Sequence, residues 1–391
     1  MGRTVFFQGV GERLTQWDVD VEAATLTPRG SVSLPSNIQY AWPDPARRFL
    51  YVSTSDAASG NSPNRGSVHR LCAVRMGGDG ALALHGEPAA LPQRPVHNSL
   101  DASGRYGLTC YNKVSELTVH RINADGTVGE EVKQDTKLDY GIFAHQIVPM
   151  PGNRAVLMVT RGNKPEEGKQ EDPGALKIYR FDDGRLSPLA DIRAGGRGGL
   201  GYGPRHVDFH PSKPWAYVSV ESQNELHMHK LEGDSLSPEP LYTCSSTVGT
   251  YDIHFHQLAG GIHVHPTGNA VYMSNRANST VDFNGTGVFS GGENNIAVFA
   301  IDQKTGEPTR IQNAETESYH VRTFSVDPTG RLMVAASIAG MNVRDGNDVR
   351  PVPAALTVFR VAPDGQLTFA RKYDVDVGSK FQWWTGLIGL T

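Results

Sequence analysis

The 391-residue chain reads as all-β, a seven-bladed β-propeller whose last blade is closed by strands from both termini. Two observations predict this. A segment of alternating apolar residues, a short Pro/Gly turn and a second apolar run returns six times. Four short antiparallel strands per unit of about 40–60 residues mark a propeller blade. In addition, strand-like remnants stand at each end of the sequence, outside the six units.

The units follow in order. Gln39–Pro45 leads into Phe49–Ser53, His97–Gly104 into Tyr106–Thr109, and His145–Gly152 into Ala155–Val159. Arg205–Pro211 leads into Trp215–Ser219, Ile262–Gly268 into Ala270–Ser274, and Arg322–Gly330 into Leu332–Ala335. With the turns anchored at positions 45, 102, 151, 211, 266 and 328, the spacings are 57, 49, 60, 55 and 62. Third strands follow at Leu117–Ile122, Leu176–Phe181, Ile296–Ile301 and Leu356–Val361. Turns ending in Asp125-Gly126, Asp183-Gly184 and Asp364-Gly365 lead three of these into a fourth strand by ordinary hairpin chemistry. Thr4–Gln8, Leu14–Asp18 and Ser31–Leu34 at the front, with Trp384–Ile388 at the back, supply the seventh blade. Closing the ring in this way removes exposed sheet edges. The chain, 1–391, reads as a single propeller domain; a six-bladed ring with irregular ends is the alternative.

Composition excludes several classes. Thirty-seven basic and 41 acidic residues give a net charge of −4, and no block of like charge suggests a nucleic-acid or membrane partner. No apolar run approaches the roughly 18–20 residues of a membrane-spanning helix. The opening Met1–Gln8 holds too short an apolar stretch for a secretory signal. Cys72, Cys110 and Cys244 are odd in number and lack CxxC spacing, which suits reduced thiols in a cytoplasmic protein.

Residues six before and ten after each turn anchor lie at the far end of the first hairpin. The first register reads Gln39, Val96, His145, Arg205, Gly260, Arg322 and the second Ser55, Asn112, Arg161, Glu221, Arg276, Ile338. A purely structural repeat would place small or apolar residues there. Instead one end of the ring collects four Arg, a Glu and a His, with His97 and His206 one position along. The long connections 54–65, 162–174, 277–294 and 340–353 leave from the same end, and long loops over a rigid scaffold commonly build binding sites. Convergent guanidinium forks suit a carboxylate- or phosphate-bearing substrate and can stabilise a developing oxyanion. A neutral His is the natural acceptor of a proton from water, with Glu221 either orienting it or acting as base. The residues alone do not rank these two.

Other signals carry less. Gly196–Gly201 matches GxGxxG, but a strand follows it instead of a helix, so it is expected to be a loop and not a dinucleotide site. The pairs His254/His256 and His263/His265 leave a metal site open. However, His265 occupies the turn position that Asp101, His210 and Asp327 hold in other units, which favours a structural role, and no metal is expected. His227-Met-His229 is expected on a solvated strand face.

Gly203–Pro211 with Tyr217–Glu221, Tyr272–Arg276, and Pro95–Asp101 with Ser103-Gly-Arg105 resemble the segments "GPRH…FHP…YV.NE", "YVSNR" and "P.H.S.D.SGR" of the propeller-type lactonases. That family includes bacterial 6-phosphogluconolactonases and fungal carboxymuconate lactonising enzymes. The resemblance implies a cofactor-free enzyme of carbohydrate catabolism that hydrolyses a small anionic sugar-acid lactone. A carboxymuconate-type cycloisomerase and a non-catalytic interaction platform are the alternatives. It also implies a catalytic set of Arg205, Glu221, Arg276 and His145; the two registers and their flanks add His97, His206, Arg161 and Arg322 as the expected substrate-binding residues. Where the family often shows His-x-His before Gln146, this chain has Phe143 in the first place, which leaves His206 as a competing proton carrier.

Overall fold

The computed structural model describes residues 3–58, 63–77, 81–249 and 256–390. Seven antiparallel blades close a ring; five have four strands, and in the other two a pair of short strands shares the outermost position. Six are built, from the inside outward, in chain order: blade 1 opens with Asn37–Pro43, blade 2 with Pro95–Leu100, blade 3 with Ala144–Pro149, blade 4 with Pro204–Phe209, blade 5 with Leu258–Val264 and blade 6 with Val321–Val326. Blade 7 takes its inner strand, Gln382–Gly389, from the back of the sequence and its outer three, Thr4–Val10, Arg13–Asp20 and Thr25–Ser33, from the front. The seven-bladed reading thus holds over the six-bladed one. No described helix is long and apolar enough to cross a membrane.

Apolar alternation in neighbouring blades produces the core, which consists of clusters sandwiched between blades, not a single central one. Val148, Leu157 and Ile178 of blade 3, for example, pack on Val207, Ala216 and Val218 of blade 4. Hydroxyls stitch the same interfaces. Tyr51, Tyr217 and Tyr272, each on a second strand, donate to the carbonyls of Gly126, Gly306 and Gly365, each in the outer hairpin turn of the next blade.

The turn position also does structural work. Asp101 Oδ1 accepts from the backbone N–H of Arg105 and Tyr106, and Asp327 Oδ1 accepts from Arg331 and Leu332. His210 and His265 replace these carboxylates: each Nδ1 faces the backbone N–H two residues on, and each Nε2 meets the carbonyl of Gly268 or Gly330 in the next turn. The structural expectation for His265 therefore holds. His227 and His229, expected on a solvated face, are instead buried. His227 stacks at 5.9 Å on Tyr202, and His229 Nδ1 meets the Ser237 carbonyl at 2.9 Å.

Two of the long connections fold into hairpins that the sequence reading treated as loops: Thr280–Phe283 with Thr286–Phe289, and Met341–Asp345 with Asp348–Val352. The 194–203 segment around the GxGxxG match is a loop without a helix, as expected. Gly203, at its end, takes a φ of 54° and accepts the Glu221 N–H at 2.9 Å. A Cβ there would stand 2.1 Å from Ser222 Oγ, so only glycine lets the loop close on the Glu221 corner.

Candidate active site

In all seven blades the inner strand breaks register at the same level, leaving an unpaired residue facing the axis: Gln39, Val96, His145, Arg205, the pair Gly260–Gly261, Arg322 and Trp383. A β-bulge twists the strand and re-aims a side chain, and bulges recur beside active sites. The polar register six before each turn is thus a ring of bulge residues. Gln39, Val96, His145, Arg205 and Arg322, with His206, His263 and Trp383, line a constriction of about 30 Å³, room for a water or two.

Above it opens a cavity of about 830 Å³, lined by Asn112, Phe143, Arg161, Glu221 and His256, and by Arg65, Arg94, Lys113 and Lys164. Asn112, Arg161 and Glu221 belong to the second register. The two registers therefore form a floor and a wall, joined by one carboxylate.

That carboxylate is Glu221, at the end of the Trp215–Val220 strand. Its Oε1 accepts from Arg161 Nη1 at 2.9 Å, and its Oε2 accepts from Arg276 Nη2 at 2.6 Å and from Arg205 Nη1. Glu221, Arg205 and Arg276 are all buried. Burial alone would raise the Glu221 pKa, but Arg205, Arg276 and Arg161 together hold it well below the usual carboxylate range. Burial in turn pulls Arg205 down to about 9, assisted by Arg276. Of the expected site residues the structure gathers Arg161, Arg205, Glu221 and Arg276 into this one cluster. It does not join Glu221 to an imidazole: no hydrogen bond among the described residues links it to His145 or His206. The expectation that Glu221 orients His145 finds no such contact.

The expected histidines line the axis instead. His145 and His206 stand 5.1 Å apart, ring to ring, and His206 and His97 stand 5.8 Å apart. His97 also packs at 3.9 Å on Tyr40. Burial, then the charges of Arg205, His206, Arg322 and Arg161, drive the His145 pKa well below 6.5. His206 shifts the same way, and burial takes His97 down to about 3. All three are neutral near pH 7. His145 Nδ1 is buried without a partner among the described residues. The described members of the four-His stretch lie apart. His256 faces the wide cavity, His263 packs on Phe324 at 5.0 Å, and His265 serves its turn. His254 lies outside the described residues.

Sequence reasoning missed several residues. His320 Nε2 accepts from Arg276 Nη1 at 3.0 Å, while its own backbone N–H is held by Asn294 Oδ1 at 2.7 Å. It sits two residues before Arg322, so the neighbourhood of the register was the available signal. Arg94, two residues before Val96, offered the same signal. Trp383 is the seventh-blade member of the bulge ring, and extending the register into the terminal blade would have found it. Phe143, in the place where a His was expected, carries the Arg161 guanidinium 3.9 Å above its ring.

The fold and the site together make a seven-bladed propeller with a cationic, histidine-floored mouth. Residues 4–344 match the family model "Lactonase, 7-bladed beta-propeller", and the chain belongs to that family. It is 28% identical over 331 residues to a 6-phosphogluconolactonase of Cronobacter sakazakii, across 83% of this chain and 84% of the relative. It is 23% identical over 373 residues to a 6-phosphogluconolactonase of Yersinia pseudotuberculosis, across 94% and 93%. Among solved structures, a periplasmic gluconolactonase of Pseudomonas aeruginosa superposes with a TM-score of 0.70 at 18% identity over 99% of both chains. A Lactobacillus plantarum protein gives 0.71 at 20% identity, over 99% of this chain and 100% of that one. These two share the fold. The enzyme class is that of a lactonase, a hydrolase of cyclic carboxylic esters.

Proposed function

We propose that the protein hydrolyses the lactone of a phosphorylated sugar acid, with 6-phosphogluconolactone as the type substrate. The observation that carries this is the charge of the 830 Å³ cavity: Arg65, Arg94, Lys113, Arg161 and Lys164 line it against Glu166 and Glu221, in a chain of net charge −4. Such a cavity selects a polyanionic ligand of sugar size. The relatives' activity supports the same reading and favours hydrolysis over muconate-type cycloisomerisation. The whole chain acts as one domain, and the cytoplasm, where three free thiols stay reduced, is its place of work.

The chemistry follows from the constriction. A water above His145 gives up a proton to the neutral imidazole as it attacks the lactone carbonyl carbon. The carbonyl oxygen gathers negative charge in front of Arg205 and Arg276, whose positions Glu221 holds through Oε2. Collapse of the tetrahedral species breaks the ring C–O bond, and the imidazolium returns its proton to the departing alkoxide. Glu221 is an anchor in this scheme and not a base, because three guanidinium groups keep it ionised and occupied. His206, 5.1 Å from His145, completes the floor.

The test is turnover of 6-phosphogluconolactone, glucono-δ-lactone and carboxymuconate by the purified protein. Preference for the phosphorylated lactone is expected; absence of turnover with any lactone would overturn the reading.

A further inference from the structure

Besides the exposed Arg65, five guanidinium groups surround the mouth of the channel among the described residues, and they fall into two sets. Arg161, Arg205 and Arg276 all spend a donor on Glu221. Arg94 and Arg322 have no carboxylate within ion-pair distance among the described residues. Both stand instead over the indole of Trp383, with guanidinium carbons 5.8 and 4.5 Å from the ring. Arg94 Nε is buried with no hydrogen-bond partner among the described residues.

The three come from three different blades. Arg322 and Trp383 are bulge residues of blades 6 and 7, and Arg94 precedes the bulge of blade 2. Trp383 and Arg322 line the constriction, while Arg94 lines the wide cavity beside Lys113 and Arg65. The set therefore stands where the two spaces meet. A cation in that position without a counter-charge is costly: burial takes Arg94 down to about 10 and drives Arg322 well below its usual range, the latter assisted by Arg205 and Arg276. The indole offsets part of this cost and holds the planar forks in place. A dianion seated between them would offset the rest.

We propose that Arg94 and Arg322, held over Trp383, form a two-fork clamp for the phosphate of the substrate, separate from the Glu221-bound arginines that face the lactone carbonyl. This rests on the lactonase reading above and adds to it the location of phosphate recognition. Two guanidinium forks present parallel N–H pairs from two directions, which a tetrahedral dianion can accept at once and a neutral hydroxymethyl group cannot. The clamp thereby determines selectivity for phosphorylated over unphosphorylated lactones and leaves the attack on the carbonyl to the other arginines.

The experiment compares wild type with Arg94→Gln, Arg322→Gln and the charge-retaining Arg94→Lys. Folding is checked by circular dichroism and thermal melting. The ratio of kcat/KM for 6-phosphogluconolactone to that for glucono-δ-lactone should fall about 30-fold or more in each Gln variant, the loss typical of removing one partner of a buried charge pair. Most of the change should lie in KM, and Arg94→Lys should fall in between. An unchanged ratio in both Gln variants would overturn the clamp. A binding arm separates this from the lactonase reading. Calorimetry with 6-phosphogluconate, gluconate and inorganic phosphate needs no turnover. Weakened binding of 6-phosphogluconate in Arg94→Gln, with gluconate little affected, supports the clamp even if no lactone is hydrolysed. Equal affinity of 6-phosphogluconate for wild type and both Gln variants overturns it even if the enzyme is an active lactonase. If inorganic phosphate alone binds at the clamp and 6-phosphogluconate does not, the site is not the substrate's and the proposal fails.

Discussion

Arg276 Nη2 and Glu221 Oε2 meet at 2.6 Å inside the ring, and Arg205 donates to the same oxygen from the adjacent blade. One buried carboxylate thus joins blades 3, 4 and 5 at their axial ends, with Arg161 on its other oxygen. Removing the charge leaves three guanidinium groups crowded and unpaired. Glu221→Gln is therefore expected to cost about 3–5 kcal/mol of stability, read as a lower midpoint in chemical denaturation. Activity should fall about 100-fold or more as Arg205 and Arg276 lose their aim. A wild-type midpoint in the variant would show that the cluster does not hold the blades.

The same carboxylate sets an acid limit to stability. Its folded pKa lies well below the ordinary value of 4.5, so the unfolded chain binds the proton more readily. The cluster's contribution is complete above the unfolded value and is lost as pH falls toward and through the depressed folded one. Denaturation midpoints followed from pH 7 to pH 3 should drop more steeply in wild type than in Glu221→Gln, which has no carboxylate to titrate.

Phe143 supplies an unusual support. Its ring lies 3.9 Å from the Arg161 guanidinium carbon, and its backbone adopts a φ of 58°. Phe143→Leu keeps an apolar side chain on the same backbone but removes the aromatic face. A cation–π contact is worth about 0.5–1 kcal/mol at a partly exposed site, so KM should rise about 2- to 5-fold with kcat less affected. An unaltered KM would mean that Glu221 alone positions Arg161.

How far the site was legible depends on which residues repeat. Arg205, Glu221, Arg276 and His145 stood out because six units supply a common frame, and a polar residue in a register that should be apolar is visible against it. What brings these residues to the axis was not visible. The bulge residues are Gln, Val, His, Arg, Gly, Arg and Trp, and no residue type in that series marks a bulge. His320, Arg94 and Lys113 lie outside both registers, in connections whose paths depend on contacts such as His320 N–H to Asn294. The Thr280–Phe289 hairpin did have a signal: Asn284-Gly285, with φ of 54° and 81°, is the usual pair for a tight hairpin turn. His227 and His229 went wrong for a different reason. Alternation predicts two faces, but in a propeller both faces of a middle strand pack against neighbouring blades, so polar residues there must be buried and paired.

The Tyr-to-glycine stitches predict a stability effect far from the site. Gly126 has a φ of 90°, and a Cβ would stand 2.3 Å from Phe49 Cε2, a rigid ring atom. Gly126→Ala should combine backbone strain with overpacking and cost about 2–4 kcal/mol. Tyr51→Phe removes only the 2.8 Å bond to the Gly126 carbonyl and should cost about 1 kcal/mol. Thermal melts that rank the two variants in the opposite order would refute the packing argument.

The identity of the proton carrier can be decided by pH. Burial and the surrounding Arg205 and Arg322 keep His145 deprotonated well below pH 6.5, so the base form persists at mildly acid pH. The acid limb of kcat/KM should therefore fall below pH 6.5, instead of near the ordinary histidine value. His145→Ala should lower kcat about 100- to 1,000-fold and erase that limb, because the group that accepts the proton from water is gone. His206→Ala opens space 5.1 Å from the His145 ring and removes a second imidazole whose protonation opposes that of His145. The His145 pKa should then move upward, carrying the acid limb to higher pH, with a smaller loss of kcat. The opposite pattern, in which His145→Ala stays active and His206→Ala loses the limb, would assign the proton to His206.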